Sequence, residues 1–125
     1  MSHKGKFTLT LVIVAPPDQV AEGDRIWEAH AQWMAETHFR EGDKALRRFN
    51  LSKGPELSNP MDPSSESTGN TCFVLTEVYE TKAGVTDHLQ QTVESFKPLP
   101  DFQEWVGKCK SMTMVSGAQV IHSLW

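Results

Sequence analysis

Apolar residues along this chain recur at intervals of two, then about 3.6, then two in two successive runs, then 3.6 again, then two. That order of strand-like and helix-like spacing constrains the fold more than any bulk property does. The run Phe-Thr-Leu-Thr-Leu-Val-Ile-Val at 7–14 places Phe7, Leu9, Leu11 and Ile13 on one face of a strand. Thr8, Thr10, Val12 and Val14 take the other face, and both faces are apolar enough to need cover. Pro16 and Pro17 end the strand, and Asp18 is a suitable N-cap for a helix beginning just after it. Up to about Phe39 the spacing is helical. Val20, Trp27, Ala31, Met34 and His38 make a stripe, with Ile26, His30 and Trp33 along its edge. Gly23 costs about 1 kcal/mol relative to alanine, which moves the expected helix start toward Asp24.

A second strand is expected over 45–53, where Leu46, Arg48, Asn50 and Ser52 alternate with Arg47, Phe49 and Leu51. Residues 54–71 carry Pro55, Pro60 and Pro63 and a Ser/Thr/Gly-rich stretch, and read as a long polar loop, either mobile or a lid. The clearest strand spans 72–80. A helix over 82–96 carries Val85, Leu89, Thr92 and Phe96 on one stripe. Pro98 and Pro100 break it, a short helix holding Phe102, Trp105, Val106 and Cys109 comes next, and 112–121 is the last strand. The order predicts an α+β, ferredoxin-like βαββαβ domain: a four-stranded antiparallel sheet with its helices on one face. The bare face, with Thr8, Thr10, Val12 and Val14 beside Cys72, Val74, Thr76 and Val78, predicts a homodimer packed sheet against sheet.

The 125 residues suit one domain over 1–125, and 38% hydrophobic residues can fill its core. Twelve Lys and Arg against 16 Asp and Glu, with no basic run, argue against nucleic-acid binding. No stretch nears the ~20 apolar residues that span a bilayer, and the first residues do not read as a signal peptide. A cytoplasmic location is expected. Cys72 and Cys109 read as free thiols.

The run Phe-Val-Leu-Thr-Glu-Val-Tyr-Glu at 73–80, followed by Ala83 and then Asp87, His88 and Leu89, resembles the antibiotic-biosynthesis-monooxygenase-like family. That family belongs to the dimeric α+β barrel superfamily. The resemblance implies a barrel made from two subunits' sheets, with a small-molecule cleft between sheet and helices in each. It implies cofactor-independent oxygenation of a small planar aromatic or polyketide-type molecule. Isomerisation, haem binding or degradation, and a non-catalytic ligand-binding or stress-associated barrel are the other activities that it admits. Two features depart from the pattern. The 54–71 segment exceeds a tight hairpin, and the asparagine and tryptophan that some oxygenase members use have no clear counterparts.

Glu77 shares parity with Phe73, Leu75 and Tyr79, so desolvation would raise its pKa toward neutrality and suit it to proton transfer. The alternative is a structural carboxylate near the sheet rim, hydrogen-bonded to backbone or to an arginine such as Arg47 or Arg48. His88 lies at the edge of a helical stripe, where imidazole can move a proton or bridge helix and strand. The family's helix histidine falls on His88. Catalysis is therefore expected from His88 and Glu77, with Tyr79, Trp33, His30 and Thr92 lining the substrate. His30 and His38 are eight apart, about 80° around a helix, which is not the i, i+4 spacing of a two-histidine metal motif. No metal and no cofactor are expected. Trp125 is expected to dock on the body or on a partner subunit, so that loss of Leu124 and Trp125 lowers stability.

Overall fold

The computed structural model describes residues 2–125. Strand β1 (Phe7–Ala15) leads through a 3₁₀ turn (Pro17–Gln19) into α1 (Val20–Thr37). Strands β2 (Leu46–Leu57) and β3 (Ser67–Tyr79) come next, then α2 (Lys82–Ser95), α3 (Leu99–Gly107) and β4 (Lys110–Gln119). The sheet order is β2-β3-β1-β4, and every neighbouring pair is antiparallel. β1 therefore runs parallel to β2 with β3 between them, and β3 runs parallel to β4 with β1 between them. Each helical crossover skips one strand. The architecture is α+β, with a four-stranded antiparallel sheet and three helices.

Strand parity decides which side chains meet the helices. Leu9, Leu11, Ile13 and Ala15 of β1 lie beside Phe73, Leu75 and Tyr79 of β3, and Ile26, Trp27, Val85 and Trp105 close over them. Burying this apolar face drives the assembly, at roughly 25 cal/mol per Å² removed from water. In register, Leu11 pairs with Leu75 and Leu75 with Leu51, while Leu9 pairs with Glu77 and Glu77 with Phe49. One carboxylate thus falls in a row of hydrocarbons. On the opposite face Thr8, Thr10, Val12, Cys72, Val74 and Thr76 stay half-buried, whereas Val14 and Val78, expected bare, are buried; the core clusters to which the helices contribute lie wholly on the other side.

Several local expectations need correction. α1 starts at Val20 rather than near Asp24, and Asp18 does not cap it: the N-cap is Gln19, with no side-chain capping bond. Gly23 lies inside the helix because packing outweighs propensity. A Cβ there would stand 2.6 Å from Cζ2 of Trp105 and 2.9 Å from Cζ of Phe73, so only glycine lets those rings reach the helix backbone. Only half of the 54–71 segment is a loop. β2 continues to Leu57 and β3 begins at Ser67, leaving 58–66 as the connection. Pro55 is tolerated because β2 is an edge strand, where a missing N–H breaks no central ladder.

A bulge at Arg47 also shifts side chains. Leu46 pairs with Tyr79 and Arg48 with Val78, so Leu46 packs on the core with Phe49 and Leu51 instead of following the parity of Arg48. β4 spans Lys110–Gln119 rather than 112–121, with bulges against β1. Trp125 and Leu124 do not dock on the body: they are 87% and 74% exposed. Among the described residues no helix is long and apolar enough to cross a membrane.

Candidate active site

Glu77 is fully buried on the helix-facing side of β3. Tyr79, two residues along the same face, donates its hydroxyl to Glu77 Oε1 at 2.5 Å, while Oε2 has no partner. Helix α2 begins at the N-cap Thr81, whose hydroxyl accepts from the Ala83 N–H at 3.2 Å. Its first turn presses onto Tyr79. A Cβ on Gly84 would lie 2.9 Å from the Tyr79 ring, so glycine sets the helix close to the sheet. One turn later His88 comes over Glu77, with Nε2 3.6 Å from Oε1.

The hydrogen bonds around His88 have a definite direction, assigned from the network. Thr37 donates its only hydroxyl proton to the Trp33 carbonyl at 2.7 Å. Its oxygen must then accept from His38 Nδ1 at 3.0 Å. Neutral His38 therefore offers Nε2 as an acceptor, and His88 Nδ1 donates to it at 2.8 Å. That leaves the lone pair of His88 on Nε2, facing a carboxylate.

Burial explains why the histidines stay neutral. Desolvation depresses His88 to about 3, with His38 and His30 adding to the effect, and depresses His30 to about 4. It also lowers His38, against a partial counter-effect from Asp87. Desolvation raises Glu77 to about 7, opposed by the Tyr79 hydrogen bond, and raises the Tyr79 phenol, with the Glu77 charge reinforcing it.

His30, on α1, completes the group. Its ring stacks on Phe49 at 5.7 Å and meets Trp27, Phe96 and His88 edge-on, and its Nδ1 is buried with no partner. One ring nitrogen of His30, one of His88 and a Glu77 oxygen all lie within 4.8 Å of one another. These three side chains come from α1, β3 and α2, and all three are buried.

A cavity of about 240 Å³ lies between the sheet and the helices. Leu9, Leu11, Ile13 and Leu75 form its sheet side, Trp27, Phe96, Phe102 and Val106 its helix side, and Leu89 and Met114 also line it. Leu89 and Met114 are 39% and 55% exposed, so the mouth opens between α2 and β4. Among the described residues, polar side chains reach the wall at His30, His88, Thr92 and Ser111 only.

The sequence-predicted residues thus divide. His88, His30 and Thr92 line the cavity. Glu77 stands behind His88, Tyr79 is tied to Glu77, and Trp33 donates its indole N–H to Ser95 at 3.0 Å, away from the wall. Neither arginine pairs with Glu77: Arg47 bonds Glu80 at 2.7 Å, and Arg48 reaches His3 at 3.4 Å. Local spacing missed His38 as a partner of His88, because the two are fifty residues apart and meet only through the fold. Local spacing on α1 also carries no sign that His30 meets Glu77 and His88. Both cysteines are free. No family model, curated protein or solved structure matches this chain significantly.

Proposed function

We propose that this chain is a small-molecule enzyme of the antibiotic-biosynthesis-monooxygenase-like kind, with a ferredoxin-like subunit that pairs into a dimeric α+β barrel. Strand order and a sheet face that no helix packs against support the architecture. The observation that carries the function is the cavity: apolar nearly throughout, with two neutral imidazoles on its wall and a buried carboxylate behind one of them. At about 240 Å³ it is smaller than the roughly 300–1,000 Å³ of drug-sized sites, which suits a one- or two-ring molecule and not a macrocycle such as haem.

In this reading a flat, conjugated substrate lies against Leu11 and Leu75 with its acidic C–H or O–H turned to His88 or His30. The proton passes to the His88–Glu77 pair, whose facing atoms Nε2 and Oε1 lie 3.6 Å apart, or to the unpartnered Nδ1 of His30. The electron-rich anion then reduces dioxygen directly. One oxygen atom enters the substrate, and the other leaves as water with the two hydrogens that the substrate loses. The protein supplies shape, desolvation and a proton acceptor, and no cofactor takes part.

The test uses chelator-treated protein and a panel of small fused-ring phenols and hydroquinones, monitored by Trp fluorescence and an oxygen electrode. The expected result is saturable binding, with oxygen uptake that falls at least tenfold in His88→Ala. Binding without oxygen uptake would leave a ligand-binding barrel. Undiminished uptake in both His88→Ala and Glu77→Gln would overturn the assigned roles.

A further inference from the structure

We propose that His30, Glu77 and His88 form a binding site for a divalent first-row transition cation. Two imidazoles and one carboxylate are a ligand set that zinc and non-haem iron(II) favour. Such a site stands apart from the substrate reading, since it rests on the convergence of these three side chains and on no property of a substrate.

Each ligand is available. His88 Nε2 bears a lone pair because Nδ1 donates to His38. Glu77 Oε2 and His30 Nδ1 are buried with no hydrogen-bond partner, in a protein interior where such groups are rare. The three groups converge within 4.8 Å, and the lone pair of His88 faces Glu77 Oε1 at 3.6 Å. Two facing lone pairs repel each other unless a positive charge lies between them, and a cation or a proton supplies it.

The surroundings are those of a supported ligand. Metal-binding histidines characteristically donate the second ring N–H to an acceptor that fixes tautomer and orientation. His88 does so to His38, which is itself held by Thr37. Tyr79 holds Glu77 in the same way. Three protein ligands leave further coordination positions, and His30 and His88 both reach the cavity wall, so a bound cation would meet the cavity's occupant. Loading would engage Glu77 as a ligand and end its service as proton acceptor. The loaded site would polarise an oxygen of the occupant instead.

The experiment titrates the chelator-stripped full chain with Co²⁺, monitored by visible d–d absorption, and with Zn²⁺, monitored by calorimetry. One ion per chain is expected, with the intense bands of a low-coordinate cobalt site. Folded Glu77→Gln and His30→Ala should bind at least 100-fold more weakly, and His38→Gln about tenfold more weakly through lost orientation of His88. In case a variant does not fold, ¹⁵N imidazole spectra of the unmodified chain with Zn²⁺ give an independent reading. They should show His30 and His88 shifting and surface-exposed His122 unmoved. Absence of stoichiometric binding, undiminished binding in folded Glu77→Gln, or shifts confined to other histidines would overturn the site. Metal binding is measured without substrate and oxygen uptake without metal, so either proposal can fail alone.

Discussion

Placing Glu77 between Leu75 and Tyr79, beneath two buried histidines, gives the protein two opposing dependences on pH. Burial raises its folded pKa from 4.5 to about 7, so the folded state holds the proton more tightly. Its contribution to stability is present below 4.5 and is lost as pH rises through 7. Glu77→Gln removes that dependence. At pH 8 the variant is expected to be the more stable protein by up to about 3 kcal/mol, with no gain from this source at pH 4. His30 and His88 act in the other direction. Their folded values, about 4 and about 3, lie below the ordinary 6.5, so their contribution is full above 6.5 and lost as pH falls toward those values. The wild-type protein should weaken on acidification, and Glu77→Gln more steeply, because it lacks the offsetting carboxylate. Urea denaturation at intervals from pH 4 to pH 8 checks both signs.

Among the elements, α1 shows a helix kept against its own propensity. Gly23→Ala would help an isolated helix, yet the added methyl group meets Trp105 at 2.6 Å. The expected result is a loss of about 1–3 kcal/mol in denaturant melts. Strand spans were legible where alternation was clean, as in β1 and the second half of β3. In the edge strand β2 only 46–53 was legible; its extension through Pro55 to Leu57 and the core side taken by Leu46 were not, because Pro55 and the bulge at Arg47 are tolerated by its position at the sheet margin. The 58–66 connection is tied by its own bonds, such as Asp62 Oδ1 accepting from the Ser64 N–H at 2.9 Å, and it contributes nothing to the cavity wall. Replacing it with a short turn should leave small-molecule binding unchanged and stability within about 1 kcal/mol. A large loss of binding in a fluorescence titration would restore the lid expected from sequence.

For the whole molecule, the proposed sheet-to-sheet pairing predicts a light-scattering mass of twice 14.0 kDa, falling to 14.0 kDa in Val12→Lys/Val74→Glu. Within one subunit Trp125 touches little, so deleting Leu124 and Trp125 should not shift the melting temperature of that monomeric variant. A shift confined to the wild-type dimer would place the tail on the partner. Alternating hydrophobicity along the chain determined the element order, the helix-facing side of the sheet and the burial of Glu77, because parity and helical phase are local properties. The tertiary structure alone decided that His38 orients His88, that His30 joins Glu77, and that Arg47 and Arg48 leave that carboxylate without a cation. Those placements involve α1 and its C-cap His38, β2, β3 and α2, and only crossovers that bring distant segments together can create them.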